Sequence, residues 1–358
     1  MKPLTGIFIL LFSGYLSASC QQSRVPLDTA LYEGQSINYD KRLTTIAFGS
    51  CNRIDRDQQI WASILANRPD LWIWLGDNVY ADTYDMQEMK RQYLTQKHFP
   101  GYRAVRGAMP VVGIWDDHDY GVNDGGKSYS KKQESQQLLL DFLDVPPGDP
   151  ARSREGAYQS YTFGPKGQKV HVILLDGRYF RDTLERGTPG SGLRYKPNPE
   201  GDILGEAQWK WLKATLRKSD AQVHIIGCGI QFLPEEQKFE KWANFPKARR
   251  RLLDLLAKTR PKGLLLISGD RHIAELSHYK PAPSGPDVYE LTSSGLTHTW
   301  SLGSSAEPNP LRIGDMVIAR NFGLIRIDWS GTKPEIRLQI RGLDNVLLLD
   351  HALPSTNP

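Results

Sequence analysis

Short apolar runs alternate with longer amphipathic stretches along most of the chain. Leu43 to Phe48 reads as a strand and ends at Gly49-Ser50-Cys51. Ile60, Trp61, Ile64 and Leu65 then form a helical stripe, which Pro69 stops. Leu71 to Leu75 is apolar at every position, the pattern of a strand buried on both faces, and Gly76-Asp77-Asn78 follows it. A polar helix is predicted over 85–97 and another over 131–143. Strands are predicted at Val111 to Trp115, Val170 to Leu175, Val223 to Ile226 and Leu264 to Ile267. Helical stripes at Trp209, Leu212, Leu216 and at Leu252 to Leu256 fall between them.

The C-terminal part has a different period. Glu335 to Arg341 alternates polar and apolar residues, as a half-exposed antiparallel strand does, with Phe322 to Asp328 as its expected partner. Strands alternating with helices, then an antiparallel tail, predict an α/β fold with mixed sheets.

Five apolar strands end in chemically active groups: Cys51, Asp77, Asp116/Asp117/His118, Asp176 and Asp270/His272. The carboxyl ends of strands border the ligand crevice of an open α/β sheet, so these groups are expected to converge. A single strand-end Asp is usually a turn former. Five acid-rich ends call for another account. Crowded carboxylates repel and take up protons unless cations neutralise them, and oxygen donors favour hard cations. Two or more metals sharing a bridging carboxylate fit this donor set.

Composition narrows the class. The 358 residues are 39% hydrophobic and 24% charged, which describes a globular chain and not a disordered one. The net charge of +5 is spread along the sequence, with no basic stripe or nucleic-acid module. Three cysteines exclude a disulfide-stapled scaffold. Lys2, the apolar run Ile7 to Phe12 and the small residues Ser17-Ala18-Ser19 have the order of a secretory leader. The run is too short to span a bilayer. Cys20 follows as in a bacterial lipobox, although Ser17 stands where Leu is usual. The expected organisation is a leader over 1–19, a polar tether over 20–40 with Cys20 lipidated, and one catalytic domain over 41–350. An exported, periplasmic or outer-membrane lipoprotein follows from that reading, with plain secretion as the alternative.

Several ordered motifs resemble the alkaline phosphatase D (PhoD-like) family of calcineurin-like metallophosphoesterases. They are Phe48-Gly49-Ser50-Cys51, Leu75-Gly76-Asp77-Asn78-Val79-Tyr80, Trp115-Asp116-Asp117-His118-Asp119-Tyr120 and Ser268-Gly269-Asp270-Arg271-His272. Leu175 to Arg181 and Gly229 to Glu235 look like further family segments. The resemblance runs from about residue 44 to 300. It implies a four-layer α/β/β/α sandwich, a centre of Fe3+ and Ca2+, and hydrolysis of phosphate diesters and monoesters. Carried over by motif, Cys51 and Tyr80 hold iron and Asp77 bridges. Asp116, Asp117, Asp270 and His272 complete the metal shell. His118 protonates the leaving oxygen, and Arg178 or Asn123 holds a phosphate oxygen.

Other readings stand beside these. Cys51 and Cys228 could pair as a disulfide. His298, after the segment Thr292 to Thr297, could edge the pocket, whereas Trp242 and Phe245 read as core. A phospholipase-D-like lipid hydrolase and a non-catalytic metal-binding surface lipoprotein are the rival functions. No protein partner is expected.

Overall fold

The computed structural model describes residue 1 and residues 34–281, 287–300 and 307–354. The leader, most of the tether and Cys20 lie outside the described residues. The first half contains β1 (Thr45–Gly49), α1 (Ile60–Ala66), β2 (Leu71–Leu75), α2 (Met86–His98), α3 (Pro100–Ala108), β3 (Val111–Ile114), α4 (Asp117–Tyr120) and α5 (Lys132–Phe142). Next come β4 (Gln159–Phe163), β5 (Val170–Leu174), a hairpin of β6 (Glu185–Arg186) and β7 (Tyr195–Lys196), α6 (Gly205–Lys218) and β8 (Val223–Cys228). The chain continues through α7 (Pro246–Thr259), β9 (Leu264–Ser268), β10 (Ala274–Tyr279), β11 (Val288–Ser293) and β12 (Arg312–Val317). It finishes with β13 (Phe322–Asp328), β14 (Glu335–Arg341) and β15 (Leu347–Ala352).

These strands build two mixed sheets, ordered β15-β14-β13-β1-β2-β3 and β12-β10-β11-β9-β8-β5-β4. One half of the first sheet is parallel, β1, β2 and β3 with β3 at its edge, and so is the centre of the second, β5, β8, β9 and β11. The expected tail pairing is present, with Phe322 opposite Arg341 and Asp328 opposite Glu335. The sequence pattern does not reveal α3, a short helix that contains two glycines and starts on Pro100. Nor does it reveal β12, a partly exposed edge strand with no alternation.

Alternation along the strands sets the layers. Trp72 and Trp74 of β2 turn away from the second sheet and meet Trp61 at ring separations of 5.2 and 5.4 Å, edge to face. Trp74 Nε1 also donates to Tyr102 Oη at 2.9 Å. Each such aromatic pair adds about 0.5–1.5 kcal/mol beyond area burial. On the opposite face, Leu75 reaches Gly227 of β8, where a Cβ would lie 2.9 Å from a Leu75 methyl. In β5, Val170, Val172 and Leu174 join this inter-sheet core. Ile173 and Leu175 instead pack with Trp209 and Leu212 of α6 and with Leu252 and Leu256 of α7. The result is a four-layer α/β/β/α sandwich. Trp242 and Phe245 are fully buried in the outer core, as expected.

Two buried carboxylates fix the loops at the strand ends. Asp119 Oδ1 accepts from the amides of Asp77 (3.0 Å) and Asp116 (2.8 Å), which ties the end of β2 to that of β3. Its Oδ2 accepts from Asn78 Nδ2 at 2.6 Å. Asp176, expected at the crevice, is a second such fastener. It accepts from Trp115 Nε1 (2.9 Å) and from the amides of Arg178 (2.8 Å), Tyr179 (2.9 Å) and Ala157 (2.8 Å). With its oxygens committed to loop amides, it does not join the cluster of acids.

Asp119→Ala leaves several buried donors unsatisfied and lowers unfolding free energy by about 3–5 kcal/mol. Urea denaturation checks this, and a loss below about 1 kcal/mol contradicts it. A second prediction concerns the amino-terminal ends of β5 and β8. His171 Nδ1 lies 2.9 Å from Ser219 Oγ, and His224 Nε2 lies 2.8 Å from the same oxygen. Burial, then the nearby His224, pushes His171 down from 6.5 to about 4. The unfolded chain therefore takes up a proton near pH 6.5 that the native state refuses until about pH 4. Stability falls as pH drops through that window, and His171→Gln makes the slope shallower. Equal slopes for both proteins in denaturant titrations at several pH values refute the assignment.

Candidate metal centre and active site

The strand-end loops have unusual backbone. Cys51 (φ 62°), Asp77 (φ 50°), Asp270 (φ 68°) and His272 (φ 55°) all occupy the left-handed region. Such conformations cost about 1–3 kcal/mol each for non-glycine residues and concentrate at functional sites. Gly76 (φ 87°) precedes Asp77, and a Cβ there would come within 2.4 Å of the Asp116 backbone nitrogen. Gly269 precedes Asp270, and a Cβ there would come within 2.7 Å of the Leu75 carbonyl oxygen. The glycine of each Gly-Asp pair thus lets one loop pack against another.

The loops bring the expected residues together. Cys51, Asp77 and His272 each offer one ligand atom within 4.8 Å of the others. The same holds for Asp77, Asp117 and His118, and for Asp77, Asp116, Asp117 and Asp270. Asp77 belongs to all three groups. Its Oδ2 accepts from Cys51 Sγ at 3.4 Å and from Tyr80 Oη at 3.1 Å. Tyr80 Oη also lies 2.9 Å from His272 Nε2. Asp117 accepts from the amides of His118 (2.9 Å) and Asp124 (2.6 Å).

Burial dominates the electrostatics. It pushes Cys51 well up, with the Asp77 charge adding to it, and it does the same to Tyr80. Asp77 is also driven well up by burial, then by Asp117, although His118 opposes this. Burial and the Asp117 charge push Asp270 up to about 7. Burial also acts to raise Asp117, but Arg178 and His118 outweigh it and hold that carboxyl below the usual range. Burial, then His298 and His118, pushes His272 down to about 3, leaving a neutral imidazole.

His118 is the second residue of α4 and keeps a side-chain exposure of 17%. Its Nδ1 lies 2.7 Å from Asp82 Oδ2, and its ring lies 4.2 Å from the Tyr80 ring. Burial disfavours its cation, yet Asp117, Asp77 and Asp82 together raise it to about 11 when they face it uncompensated. Asp82 thus sets the orientation of an imidazole at the edge of the cluster. Sequence reading missed it, although its φ of 42° and its place two residues after Tyr80 make it part of the same turn.

Other expected residues lie elsewhere. Arg178 is fully buried, and this corrects its assignment to a substrate oxygen. Its Nε donates to Asp116 Oδ1 at 2.7 Å and its Nη1 to Glu240 Oε2 at 2.6 Å, so the guanidinium is committed behind the cluster. Glu240 gave no sequence signal, because it lies in an irregular segment far from its partners. Asn123 is exposed, with its Nδ2 2.6 Å from Asp124 Oδ2, on the loop beside Asp117. His298 does edge the site, its ring 4.3 Å from that of His272 and 5.2 Å from that of Tyr80. Cys51 and Cys228 are both buried free thiols, so the disulfide alternative is excluded.

Residues 46–307 match the PhoD-like phosphatase family. Among solved structures, one titled as the structure of PhoD aligns over 90% of this chain and 74% of its own, at 17% identity and a TM-score of 0.65. GAP50, the anchor in the inner membrane complex of Plasmodium, aligns over 88% of this chain and 90% of its own, at 15% identity and a TM-score of 0.56. A dimetal phosphatase from Danio rerio aligns over 88% of this chain and 100% of its own, at 14% identity and a TM-score of 0.54. A comparison with curated proteins gave no match. The chain shares its fold with these structures, and by the match over residues 46–307 it belongs to the PhoD-like phosphatase family.

Proposed function

We propose that the protein hydrolyses phosphate esters at a centre of two cations bridged by Asp77, with iron on the Cys51 side and calcium on the Asp117 side. The observation that carries this reading is the packing of Asp77, Asp116, Asp117 and Asp270 into one buried group. Burial raises three of these four carboxyls, so the group is short of positive charge. Asp116 Oδ2 is also buried without a hydrogen-bond partner. These features fit a pair of hard cations.

Cys51, Tyr80 and His272 would hold the first cation with Asp77. Asp117 and Asp270, with Asp116 beside them, would hold the second. A trivalent iron suits the first set, since such an ion stabilises thiolate and phenolate against burial. Bound cations supply Lewis acidity toward a phosphoryl oxygen and toward water.

The chain's own groups do the remaining work. His118, held by Asp82, gives a proton to the departing ester oxygen. Asp82, which lies outside the cation shell, favours the protonated form of that imidazole. The backbone of the Asp117–Asp124 turn fixes the distance between acid and carboxylate. Asn123, exposed on the same loop, would meet a phosphate oxygen. His118 and its orienting Asp82 favour turnover over cation storage, which needs no proton donor. Export and a lipid anchor at Cys20 belong to the same proposal and rest on the leader pattern alone.

Chelation is expected to abolish hydrolysis of a chromogenic phosphate diester, with recovery on adding metal back. Cys51→Ala is expected to lose iron by elemental analysis and the visible charge-transfer band. Its activity should fall beyond the about 10–100-fold typical of outer contacts. Retention of both metal and activity overturns the ligand assignment. His118→Asn should keep its metals and lose about 10²–10⁴-fold in rate on alkyl esters. Nitrophenyl esters, whose leaving group needs no proton, should lose far less. Equal losses on both would remove the acid role from His118.

A further inference from the structure

We propose that Glu240 is a positioning residue for the carboxylate half of the centre, acting through Arg178 on Asp116 and through Arg181 on the turn that holds Asp117. This rests on the two-cation reading above and assigns a task to an acid outside the expected ligand set.

Glu240 is buried and grips two guanidinium groups that are themselves buried. Its Oε2 accepts from Arg178 Nη1 at 2.6 Å, and its Oε1 lies 2.8 Å from Arg181 Nε. From Arg178 the connection runs forward to Asp116, since Nε and Nη2 both lie 2.7 Å from Asp116 Oδ1. From Arg181 it runs to the 124–125 turn. Arg181 Nη2 donates to the carbonyl of Gly125 at 2.6 Å and also to that of Asp124. The Asp124 amide in turn donates to Asp117 Oδ2 at 2.6 Å. One carboxylate therefore stands behind two members of the acid group that would hold the second cation.

Charge explains why an acid is needed there. Arg178 and Arg181 carry two positive charges and Glu240 and Asp116 two negative ones, so these four side chains balance when all are ionised. Without Glu240, the charge on Arg178 has only the centre's own carboxylates to turn to. It would then compete with a cation for their lone pairs. Glu240 makes no contact with Cys51, Tyr80 or His272, so its effect is one-sided.

The test uses the full chain carrying Glu240→Gln together with Arg181→Met, which removes one charge of each sign and so avoids an uncompensated buried ion. Ca2+ and Mn2+ are titrated separately by calorimetry. Iron content and the charge-transfer band are measured beside them, and circular dichroism and melting confirm the fold. Divalent-ion affinity is expected to weaken about 10–100-fold, the range for contacts that orient metal ligands, while iron and its band persist. Unchanged affinity in the folded variant reduces Glu240 to a packing role and overturns the proposal. Parallel loss of both metals indicates general loosening and overturns it as well. If the double variant does not fold, Glu240→Asp keeps the charge but shortens the reach, and the same one-sided weakening is required of it. A wild-type protein that binds no divalent ion would refute the two-cation reading itself, an outcome separate from either variant result.

Discussion

Everything in this molecule answers to the crowding of acidic groups around Asp77. Four carboxylates, a thiol and a phenol crowd together, with Cys51, Asp77, Asp116 and Asp117 buried and Asp270 and Tyr80 half-buried, so little water is near to spread their charge. Such a set is tolerable only if protons or cations reside among its members. The low dielectric inside the protein makes the cost of leaving the set bare large, and it makes attraction for a multivalent cation correspondingly strong. The rest of the fold holds that arrangement in place.

The way it does so is physical and specific. The parallel strands of both sheets deliver their carboxyl ends to one rim, so residues from distant parts of the sequence meet there. The chain accepts left-handed backbone at Cys51, Asp77, Asp270 and His272, which opposes folding at each position. Compensation comes from regions that do no chemistry. The Trp61, Trp72 and Trp74 cluster seals the outer helices to the first sheet, and Asp119 and Asp176 satisfy the loop amides at the rim. Stability and function are thus drawn from different layers of the same sandwich.

Much of this was legible in the sequence, for a definable reason. Strands such as Leu71 to Leu75 are apolar at every position, and the active groups follow them directly, so local pattern alone places Asp77, Asp117 and Asp270 at strand ends. The antiparallel tail announced itself by strict alternation. What could not be read were roles decided by distant partners. Arg178 follows a strand as Asp77 does, yet Glu240 and Asp116 draw it inward, and neither is near it in sequence. Asp176 and Asp119 look like ligands by type and position. Only the direction of the surrounding amides shows that they are fasteners. The place of His298 after a strand marks it as a pocket edge, but its 4.3 Å ring separation from His272 is set by packing.

The order of the strands also governs when this centre can come into being. β1, which ends just before Cys51, pairs on one side with β13 from far along the sequence, Thr45 lying opposite Arg326. Asp270 and His272 leave the ribosome long after Cys51 and Asp77. No early fragment of the chain therefore possesses a complete set of donors, and the first sheet is not complete until β13, β14 and β15 arrive. Non-local pairings of this kind form late in folding. The site is accordingly a property of the finished chain and not of any domain-sized part of it.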